Sequence, residues 1–132
     1  MRQTLNPDSV FNSLQYGFSQ AMVVPSVGRR VLLSGQVGVD AEEQTVTGGL
    51  AAQTRAALDN VARVLAAAEG TLAHVIMLRI YIAEEASEEQ DAIAEALRDY
   101  FPDNPPPSSW VIVKGLSLPE WLIEIEAEAL LP

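Results

Sequence analysis

At 132 residues with a formal net charge of −10, the chain is the length of one domain spanning residues 1–132, long enough to bury about two-thirds of its unfolded surface without covalent staples. Its apolar content of 48% argues against disorder, no uninterrupted apolar run reaches the roughly 18 residues of a membrane span, and the opening MRQTLNPDSVFNSL has no signal-type apolar stretch, so a cytoplasmic location is expected. With no cysteine and a single histidine, His74, disulfides, thiolate chemistry and multi-histidine metal sites are excluded; no metal or cofactor is expected, and the pI near 4.3 makes nucleic acid an unlikely partner.

The segment Phe18–Val27, then Gly28, then Arg29–Val39 reads as two strands about a tight turn, with Gly28 free to take a positive φ and Pro25 restricting the first strand to an edge. Within the second strand, Ser34-Gly35-Gln36 interrupts an otherwise buried run, the mark of a bulge or of close ligand approach. Asp40–Gly49 is loop by composition.

From Leu50 to Glu69 apolar residues recur at three- and four-residue intervals, with Gln53, Arg55, Asp59, Asn60 and Arg63 between them, and this periodicity predicts an amphipathic helix. Gly70 is placed to be its left-handed C′ residue. Val75–Ile82 (VIMLRIYI) is apolar on both faces, as a central strand should be. Ser87 with Gln90 forms a capping-box pattern for a second helix that ends near Pro102. Pro105-Pro106-Pro107 then enforces extended backbone before a strand at Ser109–Lys114.

The last strand, Trp121–Leu130 (WLIEIEAEAL), alternates with period 2 and so places Glu124, Glu126 and Glu128 on one face. Three carboxylates in a row repel one another unless water, donors or a partner subunit compensates, so this face either meets solvent or lines a site. The order ββαβαββ gives an α+β fold with two helices on one face of a mixed sheet. The other face would expose apolar strand surface, so a closed oligomer is expected.

The strings Phe18-Ser19-Gln20-Ala21 and Leu33-Ser34-Gly35-Gln36-Val37-Gly38-Val39-Asp40, the helix start Ala52-Gln53-Thr54-Arg55-Ala56-Ala57-Leu58-Asp59-Asn60-Val61 and the ending Ile123-Glu124-Ile125-Glu126-Ala127 together resemble the YjgF/RidA family, the reactive-intermediate deaminases, some long described as L-PSP endoribonucleases. The resemblance covers nearly the whole chain. It implies a chorismate-mutase-like fold, a homotrimer whose sheets form a central barrel, and small clefts between subunits. In active deaminases of the family an arginine at the start of the fourth strand grips the carboxylate of a 2-imino or 2-enamino acid, and water hydrolyses the imine. A glutamate matching Glu124 is associated with the attacking water. The SGQ segment and an early aromatic, here Phe18, help line the cleft.

The family pattern breaks at that arginine. Its signature is proline, a small residue, then Arg-Ser; this chain has Pro106-Pro107-Ser108-Ser109, so Ser108 stands where the guanidinium would be. Replacing a charge-assisted bidentate clamp by one neutral hydroxyl should cost on the order of 2 to 4 kcal/mol, or roughly 30- to 1,000-fold in binding. Phe18 also lacks a tyrosine hydroxyl, and Ala94 stands where the family's second helix carries an asparagine.

The candidate site residues are therefore Glu124 as general base, with Phe18, Ser34, Gly35, Gln36, Ser108, Ser109, Trp110 and Arg79 around a ligand. Each has a plainer reading. Glu124 could pair across an interface, the SGQ segment could be a structural bulge, Ser108 and Ser109 have no base to activate them, Trp110 could pack against the core, and His74 could sit on the surface. Arg79, on an apolar strand, calls for an acidic partner or could serve as a substitute anion anchor. The resulting expectation is a trimer that binds a small, neutral or weakly acidic metabolite of unknown identity and lacks standard 2-imino acid deamination. The alternatives are an imine or enamine hydrolase using Glu124 and water, a non-catalytic regulatory trimer, and an endoribonuclease or translation inhibitor.

Overall fold

The computed structural model describes residues 2–132. Its strands are β1 (Gln3–Leu5), β2 (Ala21–Val23), β3 (Arg29–Val37), β4 (Val75–Ala83), β5 (Ser108–Val113) and β6 (Ile123–Leu131), and its helices are α1 (Gly49–Ala67) and α2 (Asp91–Tyr100). Four strands form the main sheet in the order β3-β6-β4-β5. β6 runs antiparallel to both neighbours, and β4 is parallel to β5 with α2 as the crossover between them. The apolar β4 is thus internal, as its two-sided pattern predicts.

The alternation along β6 sorts it cleanly. Ile123, Ile125, Ala127 and Ala129 are buried, while the glutamates between them are only partly covered. The buried set joins Leu78, Ile80 and Ile82 of β4 with Leu58, Val61 and Leu65 of α1 and Ile93 and Leu97 of α2 in one core. Both helices therefore supply their apolar stripe to the same side of the mixed sheet. Truncating any of these fully buried leucines or isoleucines to alanine would cost about 2 to 5 kcal/mol. No helix among the described residues is long and apolar enough to cross a membrane.

Four local expectations are revised. The segment Phe18–Val27 contributes only Ala21–Val23, and Gly28, although at φ 133°, does not close a hairpin. Instead β2 pairs with β1 in a separate two-stranded ribbon. Pro25 removes a donor just beyond β2 and so stops the pairing there. At the end of α1 the left-handed residue is Glu69 (φ 64°) and not Gly70, whose N–H closes on the Leu65 carbonyl at 2.8 Å. A Cβ on Gly70 would meet the Leu131 side chain at 3.1 Å, so this glycine serves packing. Ser87 makes no capping box; α2 starts later, at Asp91, with Gln90 donating back to the Ser87 carbonyl. Finally, Gln53 lies between apolar positions in sequence yet is 3% exposed.

Candidate functional site

Seven of the nine residues singled out from sequence fall into two groups in the folded chain, and Arg79 and Ser109 stand apart from both. The first is built where β3 meets β6. Pairing there shifts register between Leu33 and Gln36, so Ser34-Gly35 forms an irregularity opposite Ala127 to Ile125. Gln36 donates to the Ser34 carbonyl at 3.1 Å across this kink. The absence of a side chain at Gly35 is structural, because a Cβ there would overlap the Glu124 carboxylate. Gly35 thus gives Glu124 its place on the strand.

Two amides on α1, the buried Gln53 and the half-buried Asn60, hold this corner in position. Asn60 Nδ2 donates to the carbonyls of Val37 (3.1 Å) and Val39 (2.9 Å), fixing the exit of β3. Gln53 Nε2 donates to the Glu120 carbonyl and its Oε1 accepts from the Leu122 N–H, both at 2.9 Å, fixing the entry to β6 two residues before Glu124. The Gln53 backbone also presses on Gly38, where a Cβ would come within 2.6 Å. The two strings that carry the resemblance are therefore physically interlocked, helix amides against strand ends.

On the face of the sheet away from the helices, the three glutamates have separate fates. Glu128 accepts from Arg79 and from Arg30, both at 2.7 Å, and these two guanidinium groups, Arg79 first, hold its carboxyl below the usual carboxylate range. Glu126 accepts from the Tyr81 hydroxyl at 2.9 Å, a bond that pushes the phenol's pKa up. Glu124 stands opposite Tyr81 in the pairing and, among the described residues, makes no side-chain hydrogen bond or ion pair. The self-repulsion expected of the row is thus relieved by donors for two of its members. Arg79 finds its acidic partner within its own chain, and the bond to Glu128 raises its pKa further.

The second group gathers at the β5 edge. A short 3₁₀ turn, Ser13–Tyr16, ends on Gly17 at φ 88°, and the Ser19 N–H donates to the Pro106 carbonyl at 3.2 Å. These contacts bring Phe18 against the start of β5. Its ring lies 6.0 Å from that of Trp110 at a tilt of 53° and 6.4 Å from Phe11 edge to face. Trp110 Nε1 donates to Ser108 Oγ at 3.0 Å. Phe11, Tyr16, Phe18, Ser108 and Trp110 line an open recess of about 340 Å³, and none of these five carries a charge.

Sequence reasoning places Phe18, Ser108 and Trp110 here and misses Phe11 and Tyr16. The available signal is three aromatics within eight residues of a segment with no periodicity. Ser109 is absent from this recess. It pairs with Arg79 in register while Ser108 pairs with the buried Leu78, so the two serines point to opposite faces. His74 accepts from the Thr71 N–H through Nδ1 at 3.0 Å, a turn-capping role. Among the described residues no cluster of three or more His, Asp or Glu side chains could hold a metal.

Ser108 and Glu124 lie on strands separated by β4, facing opposite sides of the sheet and opposite residues three apart in β4. One small ligand cannot touch both within a single chain.

The family model described as Endoribonuclease L-PSP matches residues 12–131 of the chain. A human protein named 2-iminobutanoate/2-iminopropanoate deaminase is 32% identical over 114 residues, covering 86% of this chain and 79% of that protein. The 3-aminoacrylate deaminase RutC of Acinetobacter baylyi is 33% identical over 100 residues, covering 75% and 77%. Among solved structures, YyfB of Yersinia pestis, a protein of unknown function of the conserved Rid family, superposes with a TM-score of 0.89 at 37% identity, covering 98% of each chain. The YjgF gene product of E. coli superposes with a TM-score of 0.66 at 27% identity, covering 81% and 84%.

Proposed function

Because the chain belongs to the Endoribonuclease L-PSP family, the YjgF/RidA family of the sequence resemblance, we propose that it binds a small, neutral or weakly acidic metabolite in clefts between the subunits of a homotrimer and has lost standard 2-imino acid deamination. The observation that carries this reading is the recess at Ser108. Where the family pattern sets a guanidinium, this chain has a hydroxyl held by Trp110, within walls of four aromatic rings. An anionic guest would exchange its hydration for apolar surface with one neutral donor in return. A neutral, flat or apolar guest would lose little and gain ring contacts.

The separation of Ser108 from Glu124 supports placing the site between chains. If one subunit's β5 edge meets the β3–β6 corner of the next, a head-to-tail ring closes and both halves face one ligand. Leu32, 70% exposed on the face of the sheet away from the helices, would be covered in such an assembly. A second reading rests on Glu124. As the one glutamate of the row without a donor, it is available to take a proton from water, so slow hydrolysis of a neutral imine or enamine is consistent with the same cleft.

The test is ammonia release from 2-iminobutanoate generated in situ. The chain should be at least about 30-fold slower in kcat/KM than the human relative named for that substrate, and Ser108→Arg should recover activity. Wild-type activity equal to the human protein's would refute the proposal. Sedimentation should report a trimer, and a monomer at micromolar concentration would remove the intersubunit cleft.

A further inference from the structure

A recess of about 580 Å³, larger than the aromatic one, lies between β1, the end of α2 and the turn at Leu72–His74. Its wall includes Met22, Leu72 and Phe101, and its rim carries Arg2, Asp103 and Asn104. Arg2 is the unusual member. Its Nη1 is shielded from solvent and has no hydrogen-bond partner among the described residues, and burial pulls the guanidinium's pKa down. Acids outnumber bases 18 to 8 in this chain, yet the ion pairs formed among the described residues involve Arg30, Arg55 and Arg79 only. Arg2 lines the recess, and a guanidinium with a shielded N–H that has no acceptor among the described residues carries a desolvation cost that an anion reaching it would relieve.

The rim narrows the ligand's chemistry. Asn104 accepts from Thr4 Oγ1 through Oδ1 at 3.3 Å, leaving its amide NH₂ as a second, neutral donor. Asp103 on the same rim disfavours a multiply charged anion such as phosphate. The apolar wall favours a hydrocarbon tail.

We propose that this recess binds a small organic monocarboxylate, its anionic end on Arg2 and its apolar tail along Met22, Leu72 and Phe101. The site is separate from the aromatic recess and does not depend on the reading of Ser108.

Amide-resolved NMR titration of the full chain with acetate, butanoate and hexanoate at constant ionic strength tests it. Shifts should cluster at Gln3–Leu5, Leu72–Val75 and Phe101–Asn104, and affinity should rise about fourfold for each methylene that reaches the wall. Arg2→Gln should weaken butanoate at least about tenfold, Asp103→Asn should strengthen it about two- to threefold, and Arg63→Gln should change nothing. Ser108→Arg should leave these shifts in place, which separates this site from the one above. Absence of saturable shifts with hexanoate, or equal affinity in Arg2→Gln and wild type, would overturn the proposal.

Discussion

Replacing Gln53 by leucine keeps the size and apolar stem of the side chain and removes both ends of its clamp on the entry to β6. Two bonds of 2.9 Å are lost, leaving the Glu120 carbonyl and the Leu122 N–H without their partner. Each orphaned group costs about 1 to 2 kcal/mol at a partly covered position, so the variant should lose about 2 to 4 kcal/mol. For a chain of 132 residues the unfolding entropy is about 0.28 kcal/mol/K, which converts that loss to a drop of about 7 to 14 °C in Tm. Calorimetry at one fixed protomer concentration should read it, since assembly makes Tm concentration-dependent. Gln53→Glu is the companion variant: it keeps the acceptor for Leu122 N–H but sets a carboxylate against the Glu120 carbonyl, and should be at least as damaging. A Gln53→Leu protein within about 3 °C of wild type would show that water or backbone movement replaces the clamp, and the account of this corner would be wrong.

Three further outcomes follow from the same geometry. Gly35→Ala should displace the Glu124 carboxylate, which occupies the space a Cβ needs; because a flexible side-chain end can move aside, stability should change by less than about 1 kcal/mol, while a crystal structure shows Glu124 rotated and any activity gained by Ser108→Arg is lost in the double variant. Glu128→Gln should cost about 1 kcal/mol at neutral pH, a modest figure because Arg30 and Arg79 are substantially exposed. Since the folded-state pKa of Glu128 is depressed, its contribution is complete above the unfolded carboxylate value of about 4.3 and is lost as acid takes the pH through the folded value; urea midpoints of wild type and variant should therefore converge on acidification, and a gap that widens would contradict the pairing. Trp110→Phe keeps an aromatic ring but frees the Ser108 Oγ lone pair that accepts the indole N–H, so small neutral ligands that donate a hydrogen bond should bind more tightly by calorimetry, and an unchanged affinity would place their binding elsewhere.

The parts of this fold legible in sequence are those with a sustained period. Seven apolar positions over twenty residues leave α1 little choice, and the strict alternation of β6 separates its buried face from its open one by pattern alone. β1 is not legible that way, since Gln3–Leu5 is three residues long and too short to show alternation. With β1 hidden, the pattern pairs β2 with its sequence neighbour. Gln53 reads as solvent-facing because polarity alone cannot distinguish a surface amide from a buried one that satisfies strand-end backbone. Of the site, Glu124 against Gly35 and the Phe18–Ser108–Trp110 cluster are built from residues that the sequence marks. The split into two faces is not legible there, because it depends on the register of β4 with both neighbours.

The sheet order has a bearing on how the molecule is made. β6 follows the other five described strands in chain order, yet it lies between β3 and β4, which touch no other strand on that side. Until those nine residues arrive, the growing polypeptide carries an unpaired β3 and a β4–β5 pair, each with a bare seam able to recruit a strand from another molecule. Assembly of the main sheet thus waits for β6, and the acidity of the chain helps keep such waiting intermediates apart.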